Sequence, residues 1–181
     1  MQKNKKIGGN QPRNNNLAFS RSDILENLEV RSFDPKKDLQ NALELNKSSV
    51  LNSAIGRLWN DDWNISVNYI KEAYQGKRGD FFTVYFQNQL IAMGGLQEID
   101  GQKAIIKKFR VHPDFRGLGL AKLLVEKCEE RAAELNYKIV RGDVNEENFP
   151  MQKLMLEKGY SFIEKINEFS MTMFVYEKIL H

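Results

Sequence analysis

A chain of 181 residues with 41% apolar and 28% charged side chains is long enough for one domain with a real core and has the composition of a soluble globular protein. No apolar run approaches the ~20 residues that span a membrane, and the single cysteine, Cys128, excludes an internal disulfide and fits a reducing compartment, the cytoplasm. The net charge of +3 sits in the first 27 residues, which carry five basic and two acidic side chains; the neutral remainder excludes a large nucleic-acid footprint.

Residues 1–16 are rich in Asn, Gln, Lys and Gly and hold almost nothing to bury, so they are expected to be disordered. In residues 17–27, Ser22-Asp23 could cap a short helical turn. Residues 1–27 together read as a disordered or weakly ordered basic tail ahead of a single domain over 28–181. The tail has no apolar stretch of a secretory signal, and it is Asn-rich rather than amphipathic as a mitochondrial presequence would be.

Leu28–Phe33 alternates as a strand, and Asp34-Pro35 then supplies a cap and a first helical residue for a helix carrying Leu39, Ala42, Leu43 and Leu45. Residues 47–79 read as helical with breaks. Within them Trp59 and Trp63 read as core, with Asp61 and Asp62 as caps. Phe81–Phe86, Leu90–Ile99 and Gln102–Val111 are three strands of an antiparallel meander. Gly94-Gly95 marks a bulge or a close backbone approach, and Asp100-Gly101 a hairpin.

From Leu118 to Leu135 the apolar series Ala121, Leu124, Val125, Cys128, Ala132 and Leu135 recurs at helical spacing, which makes Cys128 a core residue rather than a nucleophile. Tyr137–Val144 is the next strand. The helix before it allows it to lie parallel to Gln102–Val111. Asn148-Phe149-Pro150 opens a helix through Lys158 that Gly159 ends, and Ser161–Ile166 and Phe169–Tyr176 follow as strands turning about Asn167-Glu168. The result is an α/β fold, an α+β mixed sheet of about seven strands, mostly antiparallel with a central parallel pair and helices on both faces.

Chemistry concentrates in Val111-His112-Pro113-Asp114-Phe115-Arg116-Gly117-Leu118-Gly119-Leu120-Ala121, a strand end, a Pro-marked turn and a Gly-rich loop opening a helix. Glycines let a ligand approach the backbone, and the unpaired first amides of a helix at its positive end suit phosphate. The spacing is neither the dinucleotide G-x-G-x-x-G nor a P-loop. The stretch resembles the GNAT acetyltransferase superfamily, whose pyrophosphate loop Arg/Gln-x-x-Gly-x-Gly/Ala is matched by Arg116, Gly119 and Ala121. The element order agrees over roughly residues 28–178.

The resemblance implies a GNAT-like acyl-CoA N-acyltransferase fold, acetyl-CoA as cosubstrate, no metal, and transfer of an acetyl group to a primary amine of a small molecule. It assigns the pyrophosphate to Arg116, Gly117, Leu118, Gly119, Leu120 and Ala121. The pantetheine arm falls beside Phe109 and Val111, and Asn148 touches the coenzyme or caps the next helix. It places Trp59, Asp61, Asp62 and Trp63 in the region that helps form the acceptor pocket. Many members donate a proton to the departing thiolate from a Tyr in a Tyr-x-x-x-Gly-Phe string. Here that position is Met155, which has no proton to give, and Tyr160 stands at the Phe position and reads as core.

The sequence does not single out a general base: Glu98 and Asp143, in or near the ends of strands, are the best carboxylate candidates, and a water relay would serve as well. Lys107, Lys108 and Arg110 either favour an acceptor with a carboxylate or form the solvated face of their strand. His112 reads as a turn residue. A homodimer is compatible with the sequence, and neither nucleic acid nor membrane is called for. A non-catalytic coenzyme-binding regulatory domain is the alternative reading.

Overall fold

The computed structural model describes residues 19–51, 70–76, 78–168 and 171–180. Its first element is α1, Arg21–Glu26. The Asp23 amide donates to Ser20 Oγ at 3.1 Å and the Ser20 amide to the Asp23 carboxylate at 3.0 Å, so each residue caps the other. The cap is therefore Ser20, not Ser22, and Ser22 and Asp23 lie inside the helix. Ile24 buries against the core and ties this turn to the domain, so residues 21–26 do not belong to a loose tail.

β1, Leu28–Ser32, leads to α2, Pro35–Leu51. Pro35 opens α2 as the sequence requires, with the Lys36 amide donating to Asp34 Oδ1 at 3.0 Å. α2 is stapled to the sheet through the buried Asp38. Its carboxylate takes both ends of the Arg31 guanidinium at 2.6 and 2.7 Å, the Tyr85 hydroxyl at 2.8 Å and the Asp34 amide at 2.6 Å. Burial pushes the Asp38 carboxyl up, but these donors outweigh it and hold the group below its ordinary range. A single π-helical turn, Lys71–Gln75, precedes β2, Asp80–Phe86.

β3 (Gln89–Glu98), β4 (Lys103–Val111), β5 (Ile139–Asn145), β6 (Ser161–Glu168) and β7 (Met171–Ile179) complete a seven-stranded sheet ordered β1-β2-β3-β4-β5-β7-β6. Only β4 and β5 are parallel, because α3, Leu120–Glu134, carries the chain back between them. α4, Phe149–Glu157, follows β5. The meander, the parallel pair and the helices on both faces agree with the sequence reading. The last turn does not. β6 runs on through Asn167 and Glu168, which pairs with Met171, because an exposed edge strand accommodates polar residues without burying them.

Two cores flank the sheet. Leu124, Val125, Cys128, Val140 and Met155 pack beneath α3 and α4. Phe33, Leu45, Tyr74, Phe81 and Met93 pack beneath α2 on the other face. Among the described residues no helix is long and apolar enough to cross a membrane.

Candidate active site

The site grows from an interruption in β4. Met93 pairs with Arg110 and Gly95 with Lys107, so Gly94 faces two residues, Lys108 and Phe109. This is the bulge that Gly94-Gly95 foreshadowed; Lys108 takes φ +60° to make it. Beyond the bulge the ladder alternates, with the His112 amide donating to Ile91 O at 2.8 Å. That alternation turns the peptide groups of Phe109 and Val111 away from β3 and toward β5.

β5 does not meet them. Its parallel pairing covers Lys103–Ile106 against Ile139–Gly142 and stops there. The two strands then part, leaving a wedge-shaped gap. Arg110 Nη1 donates to Phe109 O at 2.9 Å and Ser49 Oγ lies 3.5 Å from Val111 O. Burial pulls the Arg110 guanidinium down to about 10, and its Nε donates to Asn46 Oδ1 at 3.1 Å.

At the open end of the gap lies the loop. Pro113–Phe115 forms one tight turn, anchored by the buried Phe115, and His112 Nδ1 accepts from the Asp114 amide at 3.3 Å, the turn role expected of it. Gly117 and Gly119 take φ +81° and +89°, which only glycine adopts freely. Gly119 caps α3 without a side chain, and the first turn of α3 carries no acid, so its amides and positive dipole end remain available to an anion. A Cβ placed on Gly119 would meet nothing within 4 Å, so the space before this helix end is open. Arg116 reaches across to donate to Ser49 O of α2 at 3.3 Å. Loop, gap and inward amides thus fit the diphosphate and arm of a coenzyme.

Asn148 caps α4, with Oδ1 accepting from the Met151 amide at 3.3 Å. Met155 is wholly buried; its Cε would stand 2.6 Å from a Cβ placed on Gly142, the last β5 residue paired with β4. An apolar thioether therefore sits beneath the fork of the gap. Tyr160 is core, as expected. Cys128 is buried in α3, and burial pushes its thiol well up, which removes it as a nucleophile. Trp59, Asp61, Asp62 and Trp63 lie outside the described residues.

On the face opposite α3, beside the part of the sheet that α2 packs against, lies a cleft of about 370 Å³. Glu98 and Asp143 both line it, so the structure brings the two candidate carboxylates to one place. Each has a partner. Asp143 receives Arg141 Nε at 2.6 Å and Nη2 at 3.1 Å, and Glu98 lies 3.5 Å from Arg78 Nη1. Lys107, Arg141 and Glu168 share the cleft and were not singled out as a group from the sequence. The one local signal was the Arg141/Asp143 pair, two residues apart and so on one face of a strand. Glu168 arrives only through the β5-β7-β6 order.

No curated protein sequence matches the chain. Solved structures do. An acetyltransferase from Streptococcus agalactiae is 19% identical with a TM-score of 0.70, covering 86% of this chain and 99% of its own. YncA from Salmonella typhimurium, solved with its cofactor acetyl-CoA, is 15% identical at TM-score 0.69, over 86% and 95%. The ribosomal-protein-S18-alanine N-acetyltransferase from Escherichia coli is 14% identical at TM-score 0.66, over 84% and 93%. At such identities the likeness carries the fold alone. The family model described as the acetyltransferase (GNAT) family matches residues 48–161, which include the bulge, the gap and the loop, and the chain belongs to that family.

Proposed function

We propose that this acetyl-CoA dependent acetyltransferase acts on a primary amine of a small molecule that enters through the cleft opposite α3. One observation carries the reading. Lys107 and Asp143 line the cleft, and each is the residue directly after the last paired position, Ile106 and Gly142. The cleft therefore opens onto the fork of the gap, where an acceptor and an acyl group would meet from opposite faces. A volume of about 370 Å³ is at the small end of the roughly 300–1,000 Å³ of ligand pockets.

Acetyl-CoA supplies an activated thioester. The chain supplies the rest. The amides of Phe109 and Val111 hold the arm along β4 and offer donors to the acyl oxygen. The amides around Arg116, Gly117, Leu118, Gly119, Leu120 and Ala121 hold the pyrophosphate. The Asn148 side-chain amide remains able to donate to the coenzyme while its oxygen caps α4. An attacking amine must be neutral. Glu98 and Asp143 are the two carboxylates of the cleft that can take its proton; Asp143 stands next to the fork and is tied to Arg141, and Glu98 is in contact with Arg78.

The test is thiol release from acetyl-CoA against amino acids, polyamines, aminoglycosides and lysine peptides, with calorimetry of coenzyme binding alongside. Release with a small amine is expected. Release with peptides alone would overturn the small-molecule reading.

A further inference from the structure

Five ionisable side chains line the cleft, and their charges do not all cancel. Arg141 and Asp143 neutralise each other through two contacts, at 2.6 and 3.1 Å. Glu98 is met by Arg78 at 3.5 Å. That leaves Lys107 on β4 and Glu168 at the end of β6. Among the described residues neither has an ion-pair partner, and they do not pair with each other, although they share one cleft. Lys107 stands at the fork and Glu168 on a wall three strands further along the sheet.

We infer that the acceptor is an α-amino acid with a cationic side chain, its carboxylate held by Lys107 and its side-chain cation by Glu168. The inference rests on the small-molecule reading above and narrows it. The geometry is ordered by bond lengths. In an α-amino acid the carboxylate lies one carbon from the amine, so a cation at the fork binds the carboxylate while the amine faces the gap. The cationic charge of such a side chain lies several bonds away, as Glu168 lies away from the fork. The transfer balances without other reactants: the amine nitrogen bonds to the acyl carbon, the carbon–sulfur bond breaks, and the amine proton leaves with the thiol.

The experiment compares thiol release with L-arginine, its decarboxylated form agmatine, L-norleucine and spermidine in the wild type and three variants. L-arginine is expected to be the best of the four. Lys107→Gln should raise KM for L-arginine about ten- to a hundred-fold and leave agmatine nearly unchanged. Glu168→Gln should raise KM for L-arginine and leave norleucine nearly unchanged. Lys107→Glu should reverse the preference toward agmatine, a gain that a misfolded protein cannot show. Turnover of spermidine alone, indifferent to all three substitutions, overturns this inference and leaves the small-molecule reading standing. Coenzyme binding with release from peptides only overturns both.

Discussion

Phe109 lies across Gly94 so closely that a Cβ placed on the glycine would stand 2.3 Å from Phe109 Cδ1 and 2.6 Å from Cε1. The ring occupies the room that the missing side chain leaves, and the bulge turns the Phe109 amide into the gap. Gly94→Ala should therefore drive the ring off its place. A loss of about 1–3 kcal/mol of stability is expected from overpacking, together with a coenzyme Kd raised at least about tenfold. Denaturant unfolding and calorimetry read the two effects separately. An alanine variant with wild-type affinity would show that the bulge does not shape the coenzyme groove.

Gly119 calls for a different outcome. Nothing inside the protein lies within 4 Å of a Cβ there, so Gly119→Val meets no clash. Its cost to the fold is the φ of +89°, on the order of 1–2 kcal/mol for a residue with a Cβ. The added side chain would instead project where a phosphate must approach the α3 amides. Coenzyme affinity should fall by more than the fold does, with circular dichroism unchanged. Equal affinity in a folded variant would defeat the loop assignment.

The loop was legible in the sequence because its chemistry is local. Glycines that need positive φ, a proline turn and an amphipathic helix lie within one short stretch, and each leaves a residue-type signature. The Gly94 bulge was legible for the same reason. The cleft was not. Lys107 on β4 reads equally as a solvated strand face, and only the β4-β5-β7-β6 order sets it in one cleft with Arg141 and Glu168. The cap at Ser20 was missed because Ser22 offered an equally good local signal, and the extension of β6 through Glu168 because Asn167 and Glu168 read as turn residues although an exposed edge strand accommodates them.

Met155 fills the place beneath the fork with an apolar side chain. Met155→Ala should cost about 2–5 kcal/mol through the cavity it leaves. Met155→Leu keeps the volume and should cost less than about 1.5 kcal/mol, with kcat within about twofold of wild type. The pair separates packing from chemistry. A folded leucine variant that has lost turnover would give the thioether a role in the reaction.

Cys128 makes the converse point on α3. It is buried among Leu124, Val125 and Ala132, and its thiol is held protonated by burial. Cys128→Ala should lower stability by about 1 kcal/mol, a volume effect, and leave turnover and its resistance to thiol-alkylating reagents intact. Complete loss of activity in a folded variant would reopen a covalent route.

Tyr137 links the stability of the fold to the wall of the cleft. Its hydroxyl donates to Arg78 O at 2.5 Å, and the Arg78 guanidinium lies 4.6 Å over its ring while reaching Glu98. Burial first, and the nearby Glu98 charge second, push the phenol from 10.0 up to about 12. A folded pKa raised above the unfolded one means that the neutral form is favoured in the native state. Its contribution is fully present below pH 10 and is lost as pH rises toward 12. Tyr137→Phe removes both the hydrogen bond and the titration. The variant should be less stable than wild type near neutrality by about 1 kcal/mol, and the difference should shrink between pH 10 and 12. Unfolding by urea across that range measures it. A gap that stays constant with pH would mean that the phenol does not titrate with folding.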